Sequence, residues 1–239
     1  ATMAVNGPKA REVLAPLVED CDLAAEAFPP MAWRTARIKG VEGRIFRISF
    51  TGELAFEVNV PADRGAEVLE AILAEGEPRG VELYGTETMH VLRAEKGFII
   101  VGQDADGTVT PFDLGMDWIV SKAKGDFIGK RGLARPDLVA AGRRQLVGLL
   151  TDSPAVVLEE GAQLVEPDLA IYRTPPMIGH VTSAYFSPVL GKSIALALVE
   201  GGHSRHGTKL AVPMPGDRPL AVTVTTPVFL DPEGARLNG

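Results

Sequence analysis

The sequence of 239 residues contains little of several residue types, and each shortage excludes a class of protein. A single cysteine, Cys21, excludes an intramolecular disulfide and a thiolate cluster for zinc or iron–sulfur, and it favours a reducing, cytoplasmic compartment. No apolar run reaches the roughly 18 residues that a membrane-spanning helix requires, so no membrane partner is predicted. The 24 Lys and Arg residues are outnumbered by 31 Asp and Glu residues, which argues against a surface for nucleic acids.

Aromatic residues are also few, with 9 Phe, 3 Tyr and 2 Trp against 26 Gly and 18 Pro, which predicts many turns and an aliphatic core. The order of the patterns predicts an α+β chain of two domains. Residues 1–142 mix helical and strand periodicity, whereas residues 143–239 hold short apolar runs between Gly, Pro and Asp turns, a pattern typical of a small antiparallel barrel or sandwich. The predicted domain boundary lies near residue 142.

In the first domain, polar and apolar residues alternate over 44–50 and 54–60, which predicts two strands joined as a hairpin by Thr51-Gly52-Glu53. One helix is predicted to start after Asn6-Gly7-Pro8 and another to cover 85–96, with Gly97 as its C-terminal cap. A helix between these two, starting near residue 62, is predicted to bury Ala66, Leu69, Ile72 and Leu73. Because the strand pattern before the first helix has no evident partner, we expect its partner in an upstream segment.

The common motifs of metal sites and nucleophilic catalysis are absent from the sequence. His203 and His206 lie in a Gly-flanked loop without a third ligand nearby, so a solvated loop is favoured and no metal is predicted. Cys21 lies beside two acidic residues, which disfavours a reactive thiolate. The Gly-x-Ser-x-Gly elbow, the P-loop and the dinucleotide fingerprint do not occur.

Glu57 and Arg93 are the residues of most chemical interest, and the residues alone leave two interpretations of each open. Glu57 alternates with Phe56 and Val58, so it lies either on a solvent face or in a pocket that its strand lines. In a pocket, its carboxylate suits two parallel hydrogen bonds from an amino-pyrimidine edge. Arg93 is either a solvated charge in the last turn of a helix or a planar fork for a carboxylate or carbonyl.

Five segments, in the same order along the chain, resemble the aminomethyltransferase family, the T-protein of glycine cleavage. Phe50-Thr51-Gly52-Glu53, with Glu57 four residues later, resembles the family signature Tyr-Thr-Gly-Glu-x-x-x-Glu. The other segments are 92–97, similar to Leu-Arg-Leu-Glu-Ala-Gly, 102–111, similar to Gly-x-Asp…Thr-Pro, 143–149, similar to the start of the family's C-terminal barrel, and 178–183, similar to Ile-Gly-x-Val-Thr-Ser. Segments 91–104 and 231–236 resemble in particular the C-terminal, aminomethyltransferase-like region of the α subunit of heterotetrameric sarcosine oxidases.

This resemblance implies a mixed α/β folate-binding domain, truncated at its N-terminus, followed by a small antiparallel β-barrel. It implies that Glu57 holds the pterin and that Arg93 contacts folate, with Phe50 and Glu53 as further cofactor-binding candidates of the hairpin signature. Phe50 stands where the family has Tyr, which removes a hydroxyl hydrogen bond while stacking can persist. The family's catalytic residues are expected upstream of Ala1, so none is assigned in this sequence.

The implied activity is one-carbon transfer to tetrahydrofolate. Oxidation of an amine at a flavin in a partner subunit yields an imine, and its carbon is transferred to tetrahydrofolate to give 5,10-methylenetetrahydrofolate. Flavin and NAD are expected only in regions outside this sequence or in partner subunits of the sarcosine-oxidase type. Two alternatives stay open, a glycine-cleavage-type aminomethyltransferase and a non-catalytic folate-fold module for binding or assembly, and the activity of this chain alone is also left open.

Overall fold

A computed structural model describes residues 1–170, 174–214 and 218–238 of the chain. Its contacts group the chain into two units, Ala1–Arg93 with Asp231–Gly239, and Ala94–Leu230, called here the first and second units. The boundary predicted near residue 142 rests on a change of sequence pattern rather than on contacts, and it stays a prediction.

The first unit contains a four-stranded antiparallel sheet. Its strands are β1 (Thr2–Asn6), β2 (Trp33–Ile38), β3 (Val41–Phe46) and β4 (Ala55–Asn59). They lie in the order β1-β4-β3-β2, so β1 and β2 form the edges and β4 lies between β1 and β3. The partner of β1 is thus β4, later in the chain, and the expectation of a partner upstream was wrong. The predicted antiparallel pairing of the two hairpin strands is therefore confirmed.

The connection between β3 and β4 is longer than the predicted turn. β3 ends at Phe46 and β4 begins at Ala55, so residues 47–54 connect them instead of Thr51-Gly52-Glu53 alone. The strand pattern stops early because Arg47 is buried, and its guanidinium donates a hydrogen bond of 2.7 Å to the carbonyl of Phe28. Gly52, with a φ of 81°, then lets its N–H donate to the Oγ of Ser49.

One face of this sheet packs against the helices of the first unit. β-strand alternation places Val5, Ile45, Phe56 and Val58 in a core that also receives residues from α1 (Ala10–Leu14). The helix predicted to start after Asn6-Gly7-Pro8 is thus confirmed. The opposite face of the sheet is the one that carries Glu57.

The helix α2 (Gly65–Gly76) buries a different stripe from the predicted one. Its buried residues are Gly65, Val68, Ile72 and Gly76, whereas Ala66 and Leu69 are exposed and Leu73 is half-buried. The prediction was therefore wrong for three of its four residues. The observed stripe keeps the helical spacing and shares only Ile72 with the predicted one. Small Gly76 allows Val81 to pack against the helix, where a Cβ would meet it at 2.4 Å.

The predicted helix over 85–96 is present as α3 (Thr86–Glu95), and Gly97 follows its end as the predicted C-terminal cap. Gly97 has a backbone φ of 72°, which residues other than glycine rarely adopt. A Cβ at this position would also lie 2.6 Å from the carbonyl oxygen of Pro227. Glycine is therefore required here both by the backbone and by the close approach of a second segment. A short helix, α4 (Lys130–Leu133), follows in the chain.

The rest of the second unit is dominated by a six-stranded antiparallel barrel. Its strands are β5 (Arg144–Thr151), β6 (Gln163–Leu164), β7 (Gly179–Ser187), β8 (Lys192–Glu200), β9 (Lys209–Val212) and β10 (Leu220–Thr225). They follow the order β6-β7-β8-β5-β10-β9. Val165 and Ala211 close the sheet through two backbone hydrogen bonds of 3.0 Å, one in each direction. This confirms the expected α+β chain with an antiparallel barrel.

Alternate residues of the barrel strands fill its interior. Val147 and Leu149 of β5 point inward with Val222 and Val224 of β10, and alanines of β8 keep the narrow interior free of clashes. Among the helices in the described part of the chain, none combines the length and the apolar character needed to cross a membrane.

Candidate functional site

Glu57 lies in the middle of the sheet face that is turned away from the core of the first unit. Antiparallel pairing places Phe46 of β3 on one side of it and Ala4 of β1 on the other. Trp33 of β2 continues this row beyond Phe46. Because residues paired across antiparallel strands share a face, Trp33, Phe46, Glu57 and Ala4 form one row across all four strands, which we call the Glu57 row.

The carboxylate of Glu57 is half-buried and has Tyr84 as an ionisable neighbour. Burial raises the pKa of Tyr84, and the negative charge of Glu57 raises it further, because both oppose formation of a phenolate. The Nδ2 of Asn6 donates a hydrogen bond to the Tyr84 hydroxyl. Tyr84 and Asn6 therefore form one flank of the Glu57 site, and the sequence predicts neither as a site residue.

Two aromatic side chains lie on the other flank of Glu57. The rings of Trp33 and Phe46 are stacked, with centroids 6.0 Å apart and planes 23° from parallel. Trp33 is 53 % exposed, which is high for so large an apolar side chain. The open face of the sheet thus presents a carboxylate beside an aromatic pair.

The loop of residues 47–54 carries two further predicted site residues, Phe50 and Glu53. Phe50 is half-buried, and the carboxylate of Glu53 accepts a hydrogen bond of 2.9 Å from Arg236 of the same unit. Thr51, between them, is 5 % exposed. Its Oγ1 is one of the buried side-chain atoms without a hydrogen-bond partner among the residues that the structure describes. A buried hydroxyl in this state is costly unless a water or ligand satisfies it.

Arg93 is completely buried in the last turn of α3. This observation excludes the interpretation of Arg93 as a solvated charge at a helix end. A buried guanidinium must be paired or hydrogen-bonded, so its immediate role lies inside the protein. The structure does not show Arg93 presented to solvent beside Glu57.

A cleft of about 790 Å³ runs along the free edge of β1 in the first unit. Apolar residues of α1 and α2, such as Val13 and Ile72, line its floor, and Asn6, Lys9 and Tyr84 lie at polar positions of its wall. The Nζ of Lys9 donates a hydrogen bond of 3.2 Å to the carbonyl of Arg79. Tyr84 therefore connects this cleft with the surroundings of Glu57.

In the second unit, residues from separate motif segments bond to one another. Asp104 is fully buried, and its Oδ1 accepts hydrogen bonds from the hydroxyls of Thr182 (2.6 Å) and Ser183 (2.7 Å). Its Oδ2 accepts one from the N–H of Ile100. Glu95 likewise accepts a hydrogen bond of 2.5 Å from Ser187. These polar residues hold the segment after α3 against β7.

A second internal pair joins Asp113 to Arg143. The guanidinium approaches the carboxylate to 2.6 Å, and the Thr110 hydroxyl donates to the same carboxylate. Burial acts to raise the pKa of Asp113, but the hydrogen bonds from Arg143 and Thr110 outweigh it and hold that pKa below its usual value. Within the described residues, no group of three His, Cys, Asp or Glu side chains could hold a metal ion.

Two family models match the sequence of this chain. Residues 1–124 match the GCVT N-terminal domain, and residues 144–231 match the glycine cleavage T-protein C-terminal barrel domain. The chain belongs to the glycine cleavage T-protein family. The family resemblance carried by the five motif segments is thereby confirmed.

Relatives of this T-protein-family chain include two kinds of named enzyme. "Sarcosine oxidase subunit alpha" of Corynebacterium sp. (strain U-96) is 50% identical over 241 residues, which cover 100% of this chain and 25% of that protein. "Aminomethyltransferase" of Thermotoga maritima is 32% identical over 234 residues, covering 96% of this chain and 59% of that protein. This chain therefore spans about a quarter of the length of the sarcosine oxidase α relative that it matches.

A solved structure shares the fold of this T-protein-family chain. The glycine cleavage system aminomethyltransferase T from Bartonella henselae matches with a TM-score of 0.69 at 20% identity, over 96% of this chain and 84% of that one. At this identity the likeness shows the fold, and it agrees with the architecture described above.

Proposed function

We propose that this chain is the tetrahydrofolate-binding part of a sarcosine-oxidase-type enzyme. In the proposed reaction, the carbon of an imine made by amine oxidation is transferred to tetrahydrofolate, which releases the amine and gives 5,10-methylenetetrahydrofolate. The 50% identity to a sarcosine oxidase α subunit over the whole of this chain supports this branch. Oxidation of the amine requires a flavin, and we assign the flavin and NAD to other regions or to partner subunits of that enzyme type.

The position of Glu57 is the observation that carries the proposal. Its half-buried carboxylate lies on the open sheet face, where the amino-pyrimidine edge of a pterin can approach it with two N–H donors. Both interpretations of Glu57 support this proposal, since the sheet face is open and aromatic and hydroxyl-bearing side chains lie around the carboxylate.

The residues of the neighbouring loop fit the same ligand. The buried Oγ1 of Thr51, which has no partner within the described part of the chain, suits a polar group of the pterin or a water that bridges to it. We propose that Phe50 stacks against the ligand and that Glu53, through Arg236, holds the loop that presents Phe50. Arg93 stays a proposed folate contact that requires the end of α3 to shift, because its side chain is completely buried in this structure.

The test measures binding of 5-formyltetrahydrofolate, a stable reduced folate, to the full-length protein by calorimetry. Glu57→Ala is expected to weaken binding about ten- to hundredfold, because two charge-assisted hydrogen bonds are lost. Glu57→Gln, which keeps the shape and one acceptor, is expected to fall between Glu57→Ala and the wild type. Glu42→Gln, an exposed carboxylate of β3, is the matched control and should leave the affinity unchanged. Equal affinity of Glu57→Ala and the wild type would overturn the proposal.

A glycine-cleavage-type aminomethyltransferase is the second candidate, favoured by the 32% identity to an enzyme of that name. Incubation of the full-length enzyme with sarcosine and tetrahydrofolate separates the two. Oxygen-dependent formation of methylenetetrahydrofolate supports the oxidase branch, whereas its absence with folate binding retained supports the second candidate. We place either activity in the cytoplasm, for which the single cysteine is the support.

A further inference from the structure

The Glu57 row differs in chemistry from the row beside it on the same sheet face. The neighbouring row is Thr35, Arg44, Asn59 and Thr2, and each of its members is polar. The Glu57 row instead places Trp33 and Phe46 on two successive strands, immediately before the carboxylate. Of these two rows, only the one that contains Glu57 carries aromatic residues.

The aromatic pair is arranged for contact with a further flat ring. Trp33 and Phe46 already stack on each other at 6.0 Å, which restrains both side chains, yet Trp33 keeps 53 % of its surface exposed. Side chains opposite each other on antiparallel strands have Cβ atoms about 5 Å apart, so Phe46 is within contact range of any ring held by Glu57. Restrained aromatic faces bind flat rings with little loss of side-chain entropy.

We propose that Phe46 and Trp33 form the aromatic wall of the pterin site. When the amino-pyrimidine edge of the pteridine is hydrogen-bonded to Glu57, the fused ring lies against Phe46, and Trp33 supports Phe46 and extends the apolar surface. This inference rests on the proposed function and adds residues to it that the family motifs do not contain.

The charges around the row support the pteridine rather than another part of folate. Folate carries its negative charge on the glutamate tail, which the carboxylate of Glu57 would repel. The neutral pteridine presents N–H donors to Glu57 and a π-face to Phe46, so both chemical features of the row are matched at once. On the β1 side, Ala4 offers only a methyl group, which gives no comparable stacking surface.

The first experiment measures affinity for 5-formyltetrahydrofolate in the full-length protein carrying Trp33→Ala, Phe46→Ala or Phe46→Leu. Loss of a stacking contact is expected to weaken binding roughly three- to tenfold. Trp33→Phe should recover part of the loss. Thr35→Ala, two residues along β2 on the same face, is the matched control and should bind as the wild type does. If Phe46→Ala does not fold, Phe46→Leu, which keeps a large apolar side chain, serves as the variant without the ring.

The second experiment follows the fluorescence of Trp33, taken as the difference between the wild type and Trp33→Phe. Reduced folate is expected to quench this difference signal with the same concentration dependence as the calorimetric binding. Without ligand, acrylamide should quench Trp33 readily.

The outcomes separate this inference from the proposed function. If Glu57→Ala weakens binding while the Trp33 and Phe46 variants do not, the aromatic wall is wrong and the folate function stands. If none of the variants changes affinity, or no reduced folate binds, the proposed function fails and this inference fails with it. If acrylamide cannot reach Trp33 in the ligand-free full-length protein, a polypeptide segment covers the row, and the inference is overturned.

Discussion

Polar residues in and next to the family motifs have different surroundings in the two units. In the second unit, Asp104 and Asp113 are buried and receive hydrogen bonds from other residues of their own unit. In the first unit, Glu57 lies half-buried on an open face, and the Thr51 hydroxyl is buried without a partner among the described residues. The difference teaches that a motif carboxylate is a ligand candidate only when its own fold leaves its acceptor sites available.

The largest expected effect is a loss of stability in the second unit, where the oxygens of Asp104 already accept hydrogen bonds. Asp104→Ala removes the acceptor of three hydrogen bonds. The buried hydroxyls of Thr182 and Ser183 then lose the carboxylate to which they donate. We expect the free energy of unfolding to fall by about 3 kcal/mol, measured by urea denaturation. Asp106→Ala is the matched control, because Asp106 is exposed in the same loop and bonds only locally to Thr108. A similar loss in both variants would contradict the structural role of Asp104.

A smaller effect is expected at Asp113, and it depends on pH. The pKa of Asp113 is lower in the folded protein than in the unfolded chain, so its ionised carboxylate stabilises the fold at pH values above the unfolded pKa. That contribution is lost as the pH falls through the folded-state pKa. Asp113→Asn should therefore cost about 2 kcal/mol at neutral pH, and the gap to the wild type should narrow below about pH 4. Denaturation curves across this pH range measure the gap.

The control for Asp113 is Asp117→Asn, since Asp117 forms an exposed ion pair with Lys122. Exposed pairs of this kind contribute little, so its unfolding free energy should follow the wild type at every pH. A gap at Asp113 that stays constant from neutral to acidic pH would show that the buried ion pair is not the source of the stabilisation.

The smallest expected effect is a change in the pKa of Tyr84, which lies beside Glu57 in the first unit. Glu57→Gln removes the negative charge near Tyr84, so the pKa of Tyr84 should fall towards its ordinary value. Burial, the larger cause, remains, and the fall is therefore partial. Ultraviolet titration of the phenol measures it, with Tyr84→Phe to assign the signal. Glu53→Gln, whose carboxylate pairs with Arg236 instead, should leave that titration unchanged, and an equal fall would contradict the placement of Glu57 beside Tyr84.

Much of the fold follows from local sequence pattern. The alternation over 44–60 is enough to predict an antiparallel pair, and the cap at Gly97 is enough to end α3. The short apolar runs after residue 143 predict the barrel strands for the same reason. Helix α2 shows the limit, because its buried stripe depends on what packs against the helix and not on its apolar residues alone.

The candidate site is predicted less completely, because strand register decides which side chains meet. A turn formed by Thr51-Gly52-Glu53 pairs Phe50 with Leu54 and therefore Phe46 with Val58. The observed register pairs Phe46 with Glu57, and only this pairing brings the aromatic residues beside the carboxylate. Tyr84 approaches from a distant part of the sequence, and no local pattern reveals it.

The barrel closes where its strands are shortest. β6 contains two residues, and the bridge between Val165 and Ala211 completes the ring of strands beside it. Among the described residues, few hydrogen bonds join the strands at this junction. A local fluctuation therefore has to break fewer bonds here than between β5 and β8, which pair along most of their length. We therefore expect the ring of strands to open first between β6 and β9, which would expose two strand edges that can pair with other chains.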